Sequence, residues 1–283
     1  MCKATPRYCE DVNVGGTRNL VRTMQRRFAK DKRLPWLLLA SSLEVREALH
    51  LLPSPPPKPK KPTITPRAST TKWGHPLTSF QANNGMDGQE DLFRSESIPS
   101  SLIGQLLFRA EKVVAEATDV DENAGGGETT RCLDSIVLRF SQVYGSFLSE
   151  DRDLWFPNAI QNAIRKLPVH LPDIDRLDLL HINDAITGIG RAIVALETTP
   201  KYVAVPSPCV CVYHTLDLGS AQPITMLDVK RAILEATNSR SVAVFLPFKD
   251  TVFHLPNLTK TQREMGYYPQ VFWTSITFRY EHG

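Results

Sequence analysis

Two adjacent hydroxyls, Ser41 and Ser42, close the unbroken apolar run Leu34-Pro35-Trp36-Leu37-Leu38-Leu39-Ala40. Such a run between helical stretches reads as a parallel strand buried on both faces. Open α/β sheets place their ligands at the carboxyl ends of such strands. A hydroxyl there can bond a bound molecule, or it can end the strand and cap a helix. Further along, Phe108 and Lys112 stand four apart in a helical pattern and therefore share a face. Lys112 can hold a ligand oxygen there, or it can be a solvated charge beside Glu111 and Glu116. The seven histidines are scattered with no pair at metal-ligand spacing, so no metal is expected. Gly125-Gly126-Gly127 is followed by no Lys-Ser/Thr and opens no helix, which excludes a phosphate loop.

The elements that must position these residues are legible as periodicities. Asn13 to Phe28 has helical character, with Val14, Leu20, Val21 and Met24 apolar. After Pro99, Leu102, Ile103, Leu106, Leu107, Ala110, Val113, Val114 and Ala117 recur at three- and four-residue steps, giving one broad apolar face. Ser97 or Ser100 is placed to cap that helix. Strands are expected over Cys132–Phe140, near Val169, over Leu177–Ile182 and over Tyr213–Leu218. Helices are expected over Phe156–Arg165, Asp184–Leu196 and Thr225–Thr237, the last capped by Thr225, with two short helices in Lys260–Tyr280.

Between these elements the composition changes abruptly. From Pro53 to Pro66, seven of fourteen residues are proline, with Lys58, Lys60 and Lys61 among them. Such a stretch can join neither a ladder nor a helix, so residues 50–96 read as a disordered insertion. The 283 residues carry a net charge of +3 on 33 basic and 30 acidic side chains. This near balance, with charges interspersed, argues against nucleic-acid or membrane-surface binding. With 42% hydrophobic residues the chain can bury a sizeable core. Five irregularly spaced cysteines read as free thiols in a reducing compartment. No apolar leader precedes the first elements, and the chain reads as cytoplasmic.

The order of motifs carries more than any one of them. A strand ending in Ser41-Ser42 leads to a helix with Phe108-Arg109-Ala110-Glu111-Lys112, then to Leu138-Arg139-Phe140-Ser141-Gln142-Val143-Tyr144-Gly145. Asn13-Val14-Gly15-Gly16-Thr17 precedes these; Leu218-Gly219-Ser220-Ala221-Gln222-Pro223 and Lys260–Pro269 follow. This order resembles the extended short-chain dehydrogenase/reductases, in particular the NAD-dependent epimerase/dehydratase group acting on nucleotide sugars. The resemblance implies an α/β fold: a Rossmann-type parallel sheet with a smaller C-terminal substrate-binding portion. It implies NAD or NADP as cofactor and a nucleotide sugar as substrate. By the same resemblance Ser42 is the serine that bonds the sugar oxygen, Lys112 the lysine that holds the nicotinamide ribose, and Asn13 a support of the proton relay. Ser41 and Gln142 fall near the cofactor, and Gln142, Arg176 and Arg263 near the substrate.

Departures from the pattern set the functional expectation. Phe108 stands where the family has its catalytic tyrosine, and a phenyl ring has no proton to exchange. General acid–base catalysis typically contributes about 10²–10⁴-fold, so the ordinary route is expected to be weakened or lost. Val45-Arg46-Glu47 replaces a usual Val-Tyr-Gly, and Ala221 a frequent Gly. No Gly-x-x-Gly-x-x-Gly turn precedes Asn13, so the sheet is expected to lack its first strands and cofactor binding to be weak.

The expected layout is a Rossmann remnant at 1–49, the insertion at 50–96, the continuing Rossmann domain with the catalytic-type helix at 97–145, and a mixed Rossmann and substrate-binding portion at 146–283. The chain reads as a degenerate or incomplete epimerase/dehydratase, with a homodimer as the expected assembly. The competing reading is a non-catalytic binding or scaffold protein. Its support is Pro56-Pro57-Lys58-Pro59 and Pro59-Lys60-Lys61-Pro62 in the stretch 53–62, which fit PxxP ligands of SH3-type partners.

Overall fold

A computed structural model describes residues 5–27, 35–46, 99, 101–118, 133–146, 154–198, 212–247, 253–271 and 273. The proline-rich stretch, Gly125–Gly127, Ser97 and Ser100 lie outside the described residues. The chain enters as α1 (Pro6–Glu10), a π-helical turn (Asp11–Gly15) and α2 (Gly16–Arg27). Then come β1 (Leu37–Ser42), α3 (Leu102–Thr118), β2 (Ser135–Phe140), β3 (Gln142–Tyr144), α4 (Trp155–Ile164), β4 (Val169–Pro172), β5 (Arg176–Leu177) and β6 (Leu179–His181). The last elements are α5 (Ile182–Thr198), β7 (Tyr213–Leu218), β8 (Ile224–Thr225), α6 (Met226–Ala236), β9 (Ala243–Leu246) and α7 (Leu258–Met265).

β1, β2 and β7 form a parallel sheet in that order, with Ser41, Arg139 and Asp217 in one lateral row and Ser42, Phe140 and Leu218 in the next. Strand alternation sends these two rows to opposite faces. On the first face α2 and α3 pack through Val21, Val114 and Ala117 against Leu37 and Leu133. On the second, α5 and α7 pack through Ala185, Ala192, Leu196 and Met265 against Ile136, Leu138, Leu216 and Leu218. Helices on both faces of a parallel sheet make the arrangement doubly wound, as expected.

A second core joins α4, α6 and the two-stranded pairs β4–β9 and β5–β8, through Phe156, Ala159, Val169, Leu171, Leu177, Val229 and Ile233. Tyr144 belongs to it, with its ring edge-on to Phe156 and Trp273.

Several boundaries differ from the sequence reading for local reasons. β1 starts after Pro35 and Trp36 and keeps both serines in the ladder, Ser41 beside Arg139 and Ser42 beside Phe140. Ser101 caps α3, its Oγ accepting from Gly104 N at 2.9 Å. The run 177–182 breaks at Asp178, whose carboxylate accepts from Ser141 Oγ and Ser220 N. α6 is capped as expected: Asp228 N donates to Thr225 Oγ1 at 3.1 Å. In the tail the first expected helix is α7, which Gly266, with φ of 60°, ends in a left-handed cap; residues 272 and 274–280 of the expected second one lie outside the described residues. Cys9 corrects the expectation of free thiols: it is buried beside Val14 and Leu106 and disulfide-bonded. An odd cysteine count does not prevent a pair from forming. Among the described residues no helix is long and apolar enough to cross a membrane, and no three His, Cys, Asp or Glu side chains group to hold a metal.

Candidate functional site

Burial first decides what the two serines can do. Ser41 faces α3 and donates its hydroxyl to Glu111 Oε1 at 2.5 Å. Arg139, its neighbour in the row, forks onto the same carboxylate, Nε to Oε1 at 3.0 Å and an η-nitrogen to Oε2 at 2.6 Å. Asp217 completes the row, accepting from Asn257 N at 2.8 Å and pairing with Arg46 at 3.0 Å. Burial alone would lower the Arg139 pKa, but the bonded Glu111 carboxylate outweighs it and the net direction is up. Burial pushes the Asp217 carboxyl above its ordinary range, against the opposing pull of Arg46 and Asn257 N–H. Burial likewise lowers Arg46, partly offset by Asp217. The row is a closed polar network beneath the ends of the strands, and its hydrogen-bonding groups are turned inward.

Ser42 faces the other way. With Glu44, Phe140, Gln142, Asp178, Phe253 and His254 it lines a small cleft of about 40 Å³, open to solvent, at the carboxyl ends of β1 and β2. The turn after β1 holds Glu44 there. Glu44 N donates to Ser42 Oγ at 3.2 Å, and Ser101 Oγ donates to Glu44 Oε2 at 2.9 Å. The start of α3 approaches this turn so closely that a Cβ on Gly104 would lie 2.7 Å from Glu44 O, so glycine is required there. Gln142 Oε1 accepts from Trp155 Nε1 at 3.2 Å, which leaves its amide nitrogen as the free donor end. Asp178 is fixed by Ser141 Oγ at 2.7 Å and by Ser220 N and Oγ at 2.9 and 2.8 Å. The arrangement offers a hydroxyl, an amide, carboxylates and two phenyl rings around one space. That set can bond a polyol while covering its apolar face.

The structure brings Ser42 and Gln142 together at this cavity. It does not bring Phe108, Lys112, Asn13, Arg176 or Arg263 to its wall. Phe108 is half-buried on α3. Lys112 has its side chain 53% exposed and lies 4.0 Å from Glu116. Asn13 Nδ2 is engaged within its own helix, donating to Cys9 O at 2.8 Å. Arg176 is exposed, and Arg263 is exposed with Glu264 2.8 Å away.

Sequence reasoning missed Glu44, Asp178 and His254 as cavity residues, and Glu111 with Arg139 as a pair. Glu111 did leave a signal, as a lone charge inside the apolar stripe of α3 between Ala110 and Val114. Glu44 and His254 come from irregular segments and left none.

No family model matches the chain, and no curated protein does. Solved structures do. The protein MoeE5, in complex with UDP-glucuronic acid and NAD, is similar over 92% of this chain and 66% of its own, with 17% identity and a TM-score of 0.57. UDP-glucuronic acid 4-epimerase from Bacillus cereus is similar over 92% of this chain and 63% of its own, with 15% identity and a TM-score of 0.55. UDP-glucose 4-epimerase from Thermotoga maritima is similar over 96% and 68%, with 14% identity and a TM-score of 0.60. The chain thus spans about two thirds of the length of these proteins. Likeness at these identities is likeness of fold: the chain has the Rossmann-type α/β fold of NAD-dependent UDP-sugar epimerases.

Proposed function

We propose that this chain is an extended short-chain dehydrogenase/reductase of the epimerase/dehydratase group that binds a nucleotide sugar with reduced or no turnover. The observation that carries this reading is the cavity at the ends of β1 and β2, which holds the expected Ser42 and Gln142 on one wall. Ser42 Oγ donates to a sugar oxygen, the Gln142 amide to a second, and Phe140 and Phe253 cover the ring's C–H face. The Glu44 carboxylate accepts a hydroxyl proton in a hydrogen bond, and it is a cavity group able to act as a base.

The described residues do not fit a dinucleotide. Gly15 and Gly16 lie inside the helical stretch 6–27, so they form no turn that opens a helix onto a pyrophosphate. Lys112 is turned to solvent. Binding of NAD or NADP by this chain is therefore expected to be weak.

Self-association through the helical layer belongs to the same proposal. Tyr8, Val12, Leu20 and Ile103 expose large apolar side chains on helices that pack against one another. Isothermal titration with UDP-glucose, paired with an epimerase assay in saturating NAD, tests the reading. Saturable binding weakened about tenfold or more by Ser42→Ala or Gln142→Ala, without turnover, is the expected result. Absence of saturable binding would overturn it, and turnover at rates ordinary for such enzymes would overturn its catalytic half.

A further inference from the structure

One aromatic side chain behind the cleft wall sets the polarity of a group on it. We propose that Trp155 is a positioning residue of the cleft: it holds the Gln142 amide with its nitrogen toward the ligand, so that this position donates and selects an acceptor oxygen. The inference deepens the reading of the cleft as the sugar site and rests on that reading for the identity of the ligand.

An indole N–H is a donor with no acceptor capacity. The amide atom 3.2 Å from Trp155 Nε1 is therefore the oxygen of Gln142, and the chemistry of the partner fixes which way the amide is turned. The amide nitrogen, on the other side of the same planar group, takes no further bond among the described residues. The last torsion of a glutamine side chain is broad and roughly two-fold. Without the indole the two ends of the amide would exchange, and a ligand would have to select one of them. The stem of Gln142 is held independently, by pairing with Leu179 in β3–β6.

Trp155 is itself fixed. It is the first residue of α4, 8% exposed, with its ring edge-on to Phe156 at 5.3 Å. Phe156, Ala159 and Ala163 anchor that helix in the second core. The same indole stands edge-on to Phe253, with ring centres 6.3 Å apart, and Phe253 is also on the cleft wall. One buried side chain thus reaches two wall residues from separate segments, β3 and the stretch before α7, and ties both to the second core. A supporting residue of this kind pre-orients a binding group before the ligand arrives.

Calorimetric titration of UDP-glucose at pH 8 into the parent, Trp155→Phe, Gln142→Ala and the double variant forms a double-mutant cycle. Phenylalanine keeps an aromatic ring and removes the N–H donor. Trp155→Phe is expected to weaken binding about fivefold, the net effect of one hydrogen bond, and to add nothing where Gln142 is already alanine. An equal loss in both backgrounds, or no loss in the parent background, overturns the positioning role. Gln142→Glu separates the two ends of the amide, because its carboxylate still accepts from the indole and donates nothing. It is expected to bind UDP-glucose no better than Gln142→Ala does; binding at the parent's affinity overturns the donor assignment. Solvent exchange of the Trp155 indole proton, followed by NMR without ligand, checks the bond itself. The proton should be protected in the parent and in Gln142→Glu, and should exchange at least about tenfold faster in Gln142→Ala. Exchange unchanged in Gln142→Ala overturns the proposal even if Trp155→Phe does not fold. A proton protected by Gln142 in a chain that binds no UDP-glucose upholds the orientation of the amide and overturns the sugar-site reading instead.

Discussion

Glu111 and Arg139 form a bidentate ion pair inside the protein, with side chains 1% and 4% exposed. Ser41 contributes the third bond to the same carboxylate. Desolvating two such charges is costly, and close geometry with full hydrogen bonding offsets that cost. Removing one partner is another matter, because it leaves the other charge buried alone. Glu111→Ala should therefore destabilise the fold by about 3–5 kcal/mol. A paired replacement by apolar residues, Glu111→Leu with Arg139→Met, should recover much of that loss. Urea denaturation of the parent and the two variants checks this; a loss under about 1 kcal/mol in Glu111→Ala would mean the pair is not formed.

Asp217 gives the row a pH dependence with a definite sign. Its pKa is raised from the ordinary 3.8, mainly by burial. The folded state therefore binds the proton more tightly than the unfolded chain does. The associated stability is fully present below 3.8 and is lost as pH rises through the higher folded value. Asp217→Asn abolishes this loss, so its stability relative to the parent should rise between pH 4 and pH 7. Urea midpoints at the two pH values measure it. A relative stability that falls over this interval would show that Arg46 dominates and that the folded pKa is depressed.

Ala221 sits at φ of 59° in the loop after β7, a left-handed conformation that costs an L-residue roughly 1–2 kcal/mol. Glycine adopts it freely but loses more entropy on folding. Ala221→Gly should stabilise the protein by about 0.5–1 kcal/mol, read as a rise in thermal midpoint. A fall in midpoint would show that the strain is absent.

Lys112 distinguishes motif from geometry. An exposed pair with Glu116 one turn away contributes about 0.3–0.5 kcal/mol. Lys112→Ala should change stability by no more than that and leave UDP-glucose binding unaltered. Phe108→Tyr, also off the cavity wall, should bring no turnover to this chain on its own. A tenfold loss of nucleotide-sugar binding in Lys112→Ala would place the ligand against α3 after all.

The sequence reading succeeded where the signal is local. Tyr213–Leu218 was legible from its own residues, and the Thr225 cap from the helix it starts. The fold class followed from the family resemblance carried by the order of motifs, with the individual strands and helices read from apolar runs and helical stripes. What was not legible depends on register between distant segments. Ser41, Arg139 and Asp217 share a row only because three strands align, and each alone reads as an ordinary polar residue at a strand end. The reading of α3 from its motif selected Lys112, while the apolar stripe itself ran through Glu111, one residue earlier and on the buried side. Asp178 looked like part of a continuous buried run; the donors that turn it inward, Ser141 and Ser220, lie 37 and 42 residues away.

Hydrogen–deuterium exchange in the presence and absence of UDP-glucose, followed peptide by peptide, tests the placement of the ligand most directly. Protection on binding should appear in the peptides covering Ser42–Glu44, Phe140–Gln142 and Phe253–His254, where the cavity wall lies. Protection centred on 108–112 with none at these three segments would contradict the assignment of the cavity as the nucleotide-sugar site.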